Sequence, residues 1–242
     1  MKKWIICFLA VALTAAAIIC LLFYNGIVHF NHPTQEVHGV DVSHYQGEID
    51  WAKLANQDIC FAFIKATEGS THIDPRFSEN WQNALNTPLR IGAYHFFSYD
   101  SPGITQAENF IRQVPKHKNI LPPVIDIEFY GGNDKNPPPA DQVVPQLRTM
   151  ADALHEHYGV SPILYATEES YRLYIAGGFE DCDIWIRNVI SAPSLSDGRP
   201  WTFWQYSNRH LLNGYEGDEK FIDMNVFNGT LTKFETYGLL SE

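Results

Sequence analysis

The sequence predicts an irregular (β/α)5(β)3 barrel, of α/β class and related to the TIM barrel, preceded by an N-terminal transmembrane helix. Eight short apolar runs of β type follow one another along the chain. Helical patterns stand between the first six of these runs, and segments rich in Gly, Pro, Ser and Asp join the rest. A chain of 242 residues with 45% hydrophobic composition is long enough to bury one core of this size.

The chain begins with a segment that is separate from the barrel. Lys2 and Lys3 precede an uncharged stretch, residues 4–23, which as a helix would span roughly 30 Å and cross a bilayer. Cleavage after the alanines at 15–17 would leave the apolar stub 18–23, so an uncleaved anchor is favoured over a cleaved signal. The two lysines predict a cytoplasmic N-terminus and an exported domain, periplasmic or extracellular. The alternative is a protein secreted after signal cleavage.

Changes of composition set the predicted boundaries. Residues 1–24 form the anchor or signal, and the polar residues 25–36, with one proline, form a linker. The barrel occupies residues 37–232, and residues 233–242 form a C-terminal tail.

The eight runs are candidate strands because each is short, apolar and bounded by polar or turn-forming residues. They cover residues 37–45, 60–67, 90–98, 121–129, 161–167, 183–189, 201–207 and 220–227. Helices are predicted at residues 50–57, 76–86, 104–114, 140–158 and 168–175. Strands that alternate with helices predict βαβ units and a parallel sheet. The alternative, an open doubly wound sheet, would need a glycine-rich phosphate-binding first turn, which residues 43–47 lack.

Charge and cysteine content limit the partners. Beyond residue 30 there are 15 basic and 28 acidic residues, a formal charge of −13, which disfavours nucleic acid or anionic lipid as a partner. Cys60 and Cys182 are expected to be buried free thiols, although an oxidising compartment also permits one disulfide between them. No Cys-x-x-Cys or Cys/His cluster indicates zinc, so we expect no metal and no cofactor. We expect a monomer that meets the membrane through its N-terminal helix.

Four carboxylates are expected at one mouth of the barrel, where the C-terminal ends of the strands meet. Asp126 and Glu128 lie two residues apart in the fourth strand, on one face, with Cα atoms roughly 6.5–7 Å apart. Asp41 ends the first strand, and Asp223 lies on the eighth, next to the first in a closed barrel. Buried neighbouring acids raise one another's pKa, and a protonated acid beside an ionised one suits glycosidic bond cleavage. For one pair alone, the alternative is that both acids cap a loop or form ion pairs with Lys or Arg, but four converging acids favour function.

Aromatic and amide side chains are expected around the same mouth. Sugars combine apolar ring faces with a rim of hydroxyls, so flat aromatic rings and short polar groups suit them. The candidates are Tyr45, Tyr94, His95, Tyr165, Trp185, Trp204 and Gln205. His95 is a candidate donor to a carboxylate or a substrate oxygen, and a core histidine is the alternative. Phe96, Phe97 and Phe203 are assigned to the barrel core.

An ordered set of motifs resembles glycoside hydrolase family 25, the lysozymes of the N-acetylmuramidase type. The motifs are DVSHYQG at 41–47 with DW at 50–51, FIKATEG at 63–69, GAYHF at 92–96, D-x-E at 126–128, WQYS at 204–207 and DMNVF at 223–227. The resemblance covers residues 37–228, and the motifs occur in the family's order. A D-x-E pair alone is weak evidence, whereas the ordered set is specific.

The resemblance implies hydrolysis of the β-1,4 bond between N-acetylmuramic acid and N-acetylglucosamine in peptidoglycan. It implies that Glu128 is the proton donor and Asp126 its partner, with Asp41 and Asp223 as further acids of the cleft. Residues that match cleft-lining positions are Tyr94, His95, Tyr165 and Gln205. Arg187 departs from the pattern, because many members carry a small residue there. Facing the cleft, it would pair with an acid or with a muramyl carboxylate.

The mechanism and the substrate each have alternatives at this stage. Glu128 is expected to protonate the leaving oxygen while Asp126 assists the substrate's own 2-acetamido group as internal nucleophile. Alternatively, an acid across the cleft activates water directly. A chitinase-like glycosidase would share the D-x-E strand, and a catalytically silent barrel would bind glycan without turnover.

Overall fold

A computed structural model of the protein describes residues 2–239, with side chains from residue 4 onward. Helix α1, Lys2–Tyr24, is the one helix in that range that is long and apolar enough to cross a membrane, over Trp4–Tyr24. None of its most apolar stretch is buried against the rest of the protein. Its length and composition fit an anchor and a signal alike.

Eight strands close into the predicted barrel. They are β1 His38–Val42, β2 Phe61–Glu68, β3 Arg90–Phe96, β4 Val124–Ile127, β5 Ile163–Thr167, β6 Asp183–Arg187, β7 Phe203–His210 and β8 Ile222–Phe227. Neighbours pair in this order from β2 to β8, and β1 pairs with both β8 and β2, which closes the sheet. Each predicted run overlaps one strand, so the predicted fold class is confirmed.

Helices occupy the five crossovers between β1 and β6. They are α2 Trp51–Ala55, α3 Phe77–Ala84, α4 Gly103–Gln113, α5 Ala140–Tyr158 and α6 Glu168–Tyr174. Asp50 caps α2 by accepting a hydrogen bond from the backbone N–H of Lys53, and Gly159 ends α5 with a left-handed φ of 77°. In the described chain no helix joins β6 to β7 or β7 to β8, as the composition of those segments predicts.

Strand β8 runs antiparallel to β7 and β1, whereas the alternation of strands and helices predicts a parallel sheet. The connection from β7 to β8 contains no crossover helix, and parallel neighbours need such a crossover. The reversed direction brings the first residues of β8 to the same mouth as the last residues of the parallel strands. Asp223, the second residue of β8, is therefore the direct register partner of Asp41 on β1.

Inside the barrel, the side chains are apolar near the N-terminal ends of the parallel strands, which form the bottom. They are charged or polar near the C-terminal ends, which form the top. The apolar layers contain Phe61, Phe63, Val124, Ile163, Tyr165, Trp185, Phe203 and Phe227. Gly39 leaves room for the Phe61 ring, since a Cβ at residue 39 would overlap the ring atoms. Two residues beyond these apolar positions, the inward side chains at the top are Lys65, Asp126, Arg187 and Gln205.

A further helix, α7 Leu231–Thr236, crosses the predicted boundary between barrel and tail at residue 232. Phe234 is 2% exposed, and its ring centroid lies 5.4 Å from that of Phe61 and 5.2 Å from that of Phe227. The start of the predicted tail therefore packs under the apolar layers and closes the bottom of the barrel. Residues 240–242 of that tail lie outside the described chain.

The predicted linker, residues 25–36, is packed against the outer side of the barrel. The Asn31 side chain is 6% exposed and donates hydrogen bonds to the carbonyl oxygens of Tyr206 and Asn188, over 3.0 and 3.1 Å. Both hydrogens of this amide are therefore satisfied by the barrel. The segment that follows α1 is held in place rather than extended into solvent.

Cys60 and Cys182 are free thiols. Cys60 is half-buried and Cys182 is buried, and burial raises the pKa of both thiols, to about 12 for Cys182. Of the two alternatives from the sequence, the structure shows the free thiols.

Candidate active site

A cleft of about 500 Å³ opens at the mouth where the C-terminal ends of the parallel strands meet. Ten of the twelve residues that the sequence predicts at this mouth line the cleft. They are Asp41, Tyr45, Tyr94, Asp126, Glu128, Tyr165, Trp185, Arg187, Gln205 and Asp223. Most share one geometric cause: every second residue of a strand points into the barrel, so inward positions near the strand ends converge.

His95 is one of the two exceptions, and its predicted place in the cleft is wrong. It lies between Tyr94 and Phe96, which line the cleft, so the pleat turns its ring to the outer side of β3. There it is fully buried, with Nδ1 2.7 Å from Thr67 Oγ1 and Nε2 3.0 Å from Gln106 Oε1. Burial lowers its pKa to about 4, so it stays neutral and links β3 to β2 and α4.

Two aromatic residues lie on the opposite side from the one predicted. Phe96, assigned to the core, lines the cleft, and Lys65 Nζ is 4.9 Å from its ring centroid. Trp204, expected at the mouth, belongs to the core between barrel and helices. Both follow from the alternation along a strand, because Phe96 shares the face of Tyr94 and Trp204 lies opposite the face of Gln205.

Several residues of the cleft were not among the predicted site residues. They are Val42, Ser43, Gln46, Lys65, Phe96, Asn208 and Glu219. Lys65 carried a usable signal, since it follows the inward-facing Phe61 and Phe63 in steps of two along β2. Asn208 carried none, because shifts of register between β7 and β8 break the simple alternation there.

Asp41 and Asp223 form one pair of acids on neighbouring strands. The Gln205 amide donates to both, over 2.9 Å to Asp41 Oδ2 and 3.2 Å to Asp223 Oδ2. Asn225 Nδ2 donates to the same Asp41 oxygen over 2.7 Å, and Trp185 Nε1 donates to Asn225 Oδ1 over 2.8 Å. Burial raises the pKa of both acids, while the two amide donors limit the rise at Asp41. The charge of Asp41 adds to the rise at Asp223.

The second pair is Asp126, on β4, and Glu128, just beyond its end. Burial raises the pKa of both carboxyls, and the charge of Glu128 raises that of Asp126 further, well above its usual range. The positive charge of Arg187 works against this rise at Glu128. The Tyr165 hydroxyl donates to Gln205 Oε1 over 3.0 Å and lies 3.4 Å from Glu128 Oε1, so it connects the two acid pairs.

One buried oxygen of this second pair has no protein partner in the described chain. Asp126 Oδ1 is buried and accepts no hydrogen bond within residues 2–239. A buried acceptor is unfavourable unless a ligand or a water donates to it. An N–H or O–H group of a bound ligand would meet this need.

Tyr45 presents an exposed aromatic face at the rim of the cleft. Its side chain is 57% exposed, and its ring centroid lies 4.1 Å from that of His44. Asp74 fixes His44, because its Oδ2 lies 2.8 Å from Nδ1 and accepts from the backbone N–H over 3.1 Å. Reciprocal hydrogen bonds between Ser43 and Gln46 cap the turn that carries Tyr45. The ring is thus an oriented platform that suits the apolar face of a sugar.

The arrangement supports acid–base chemistry on a polar ligand. The pKa values of the neighbouring acids are raised to different extents. One carboxyl can therefore hold a proton, as a donor, while its neighbours are ionised. Oriented amides and an exposed ring surround these acids. In the part of the chain that the structure describes, no group of three or more His, Cys, Asp or Glu residues has the arrangement of a metal site.

Comparison with known proteins agrees with this architecture. The chain matches the family model for glycosyl hydrolases family 25 over residues 40–215. Lysozyme M1 from Streptomyces globisporus is 35% identical over 216 residues, which covers 83% of this chain and 70% of that protein. The uncharacterised protein YegX from Escherichia coli K12 is 34% identical over 206 residues, with 83% and 73% covered.

Solved structures share the barrel. A family 25 glycosyl hydrolase from Bacillus anthracis matches with a TM-score of 0.84 and 57% identity, covering 88% of this chain and 98% of that one. A family GH25 lysozyme from Aspergillus fumigatus matches with a TM-score of 0.72 and 28% identity, covering 83% and 97%. The family match runs from β1 past β7 and includes most of the acid cleft. The chain therefore belongs to glycosyl hydrolases family 25, and it is a glycoside hydrolase.

Proposed function

We propose that this enzyme is a lysozyme that hydrolyses the β-1,4 bond between N-acetylmuramic acid and N-acetylglucosamine in peptidoglycan. Two of the relatives described above are named lysozymes, which supports the substrate class. One observation carries the proposed chemistry: the buried Asp126 and the half-buried Glu128 are neighbouring carboxyls with raised pKa values, side by side in a polar cleft.

Glu128 is the general acid. Burial keeps its carboxyl protonated to a higher pH than that of a free glutamic acid, so a proton is available for the leaving glycosidic oxygen. The side chain is half-buried and reaches the cleft, where a glycan is accessible to it. The nearby Tyr165 hydroxyl limits the positions that the carboxyl adopts.

Asp126 assists the substrate's 2-acetamido group as internal nucleophile. Its Oδ1, which has no protein partner within residues 2–239, can accept a hydrogen bond from the acetamido N–H. The acetamido oxygen bonds to the anomeric carbon while the bond to the leaving oxygen breaks, and that oxygen takes the Glu128 proton. Water then attacks the anomeric carbon and gives a proton back to Glu128. The bond between that carbon and the acetamido oxygen breaks, which restores the acetamido group.

The alternative mechanism lets an acid across the cleft activate water directly. Asp41 and Asp223 are the acids there, and Gln205 and Asn225 already donate to them. These hydrogen bonds favour a fixed electrostatic role over proton abstraction. The acetamido route retains the anomeric configuration, so NMR of the first product should show the β-anomer. Initial release of the α-anomer would contradict the route.

The test of function uses the full chain in detergent and measures new reducing ends released from purified peptidoglycan. The wild type should release fragments with muramic acid at the new reducing end, identified by mass. Glu128→Gln should reduce turnover by roughly 10²–10⁴-fold, the usual contribution of a general acid. Glu108→Gln, an exposed carboxyl on α4, is the matched control and should behave as the wild type.

Two other outcomes would replace the proposal. Activity on chitin with none on peptidoglycan would indicate a chitinase-like glycosidase. Glycan binding that is equal in the wild type and in Glu128→Gln, with no turnover of either glycan, would indicate a catalytically silent barrel.

We further propose that α1 stays in the mature protein as a membrane anchor and that the barrel, residues 37–232, acts outside the membrane as a monomer. The packed segment 25–36, held by Asn31, supports a direct connection between anchor and barrel. Mass spectrometry of the protein from isolated membranes should find residues 4–23. Their absence, with the barrel in the soluble exported fraction, would establish a cleaved signal.

A further inference from the structure

Arg187 is the last residue of β6 and points into the cleft. It follows Trp185, an inward-facing residue of the apolar layers, by two positions on the same strand. Its register partner on β7 is Gln205, the residue whose amide donates to both Asp41 and Asp223. The guanidinium therefore lies among the acids, at the level of the proposed chemistry.

Arg187 is a cation in the cleft whose charge is not used by an ion pair. Two cationic side chains line the cleft, Lys65 and Arg187. Lys65 Nζ lies 2.8 Å from Glu68 Oε2. For Arg187, no carboxylate oxygen of residues 2–239 lies within 4.0 Å, and its side chain makes no hydrogen bond to them. Five N–H donors in a planar fork are thus available to a ligand.

A planar fork of donors matches a carboxylate, which it binds through two parallel hydrogen bonds. On the proposed substrate, carboxylates occur only on the muramyl residues and their stem peptides. The lactyl group on O3 of the muramyl ring carries a free carboxylate when no peptide is attached, and an amide when one is. Stem peptides carry carboxylates too, but these lie farther from the sugar ring.

We propose that Arg187 is a specificity-determining residue that binds a carboxylate on the muramyl residue of the glycan, and that this carboxylate is the lactyl one. The proposal rests on the lysozyme function proposed above. It explains how a cleft lined by four acids accepts an anionic strand, because one unpaired cation offsets the repulsion locally. It also gives the enzyme a place in a reaction sequence: an amide hydrolase that removes stem peptides supplies the favoured substrate.

The test compares three glycans with the full chain in detergent. The first is glycan stripped of stem peptides by an amidase, with free lactyl carboxylates. The second is intact peptidoglycan, and the third is stripped glycan whose carboxylates are converted to methylamides. Each is cleaved with the wild type, Arg187→Gln and Arg187→Lys. Arg112→Gln, an exposed arginine on α4, is the matched control.

Arg187→Gln should raise KM about tenfold on stripped glycan, equivalent to about 1.4 kcal/mol. It should leave KM unchanged on the methylamide glycan. Arg187→Lys should lie between, because a point charge replaces the fork. A KM effect confined to intact peptidoglycan would assign the carboxylate to the stem peptide and overturn the lactyl assignment.

Two other results would also overturn the proposal. Equal losses on all three glycans would show that Arg187 acts only through the acids or the fold. A wild type inactive on every glycan would instead refute the lysozyme function, and the specificity with it. A pH profile on the methylamide glycan separates the electrostatic effect: loss of the Arg187 charge raises the pKa of Glu128, so activity should persist to higher pH in Arg187→Gln.

Discussion

Asp126→Asn is expected to make the barrel more stable at neutral pH while it removes activity. The Asp126 side chain is 6% exposed, and burial together with the charge of Glu128 holds its pKa well above the usual range. The folded protein therefore disfavours the ionised form of this carboxyl relative to the unfolded chain. Asparagine has nearly the same shape and no charge to bury.

The sign and size of the effect follow from proton linkage. The unfolded chain binds a proton at this side chain only below about pH 3.9, whereas the folded chain binds it up to the raised pKa. Between those two pH values the folded state holds more protons, so the free energy of unfolding falls as pH rises. The loss is about 1.4 kcal/mol for each pKa unit that separates the two states. Below the unfolded pKa the loss is absent, and above the folded pKa it is complete.

Urea unfolding at pH 4, 6 and 8, followed by tryptophan fluorescence, measures this difference. The free energy of unfolding of Asp126→Asn should exceed that of the wild type by an amount that grows with pH. Asp134→Asn, an exposed loop residue, is the matched control and should track the wild type. Turnover of Asp126→Asn on peptidoglycan should fall by roughly 10²–10⁴-fold. Parallel pH curves for wild type and Asp126→Asn would refute the assigned burial of charge.

Three further predictions concern the scaffold around the cleft. Gly39→Ala should lower the free energy of unfolding by about 1–3 kcal/mol, because its Cβ would overlap the Phe61 ring, and urea unfolding checks this. Phe234→Ala should lower it by about 3–5 kcal/mol through a cavity under the barrel, and an unchanged midpoint would contradict the closing role of α7. His95→Ala should lower it by about 1–3 kcal/mol by leaving Gln106 short of a partner, yet keep the pH profile of turnover unchanged.

Local patterns in the sequence were enough to find the eight barrel strands and the five crossover helices, because each carries its own periodicity and its own end signals. Helix α5 was predicted with the observed ends, as prolines precede Ala140 and Gly159 follows Tyr158. The direction of β8 had no such signal, since a run with alternating side chains is the same in both directions. Helix α7 was missed because six residues with one buried ring, Phe234, show no helical period.

The site was predictable where polar residues interrupt apolar strands at a spacing of two. Asp126 and Glu128 stand out from the isoleucines beside them, and Asp223 stands out from Ile222 and Met224. The prediction for His95 was wrong because Tyr94, His95 and Phe96 are all residue types that suit a cleft. Composition therefore does not reveal which face of β3 points inward. Only the pairing of β3 with its neighbours decides that question, and pairing depends on contacts far apart in the sequence.

The raised pKa values of the four cleft acids come from the apolar layers beneath them as much as from the charges of the neighbouring acids. Burial is the largest cause of the raised pKa at each of the four acids, ahead of any neighbouring charge. The aromatic rings below exclude water from one side of every carboxyl, while the open mouth admits substrate on the other. Arg187 counters this effect at Glu128, Asp41 and Asp223 but is not among the main influences on Asp126. The same cation therefore acts unequally on the two members of the pair, since it offsets part of the effect of burial at Glu128 and is not among the main influences at Asp126.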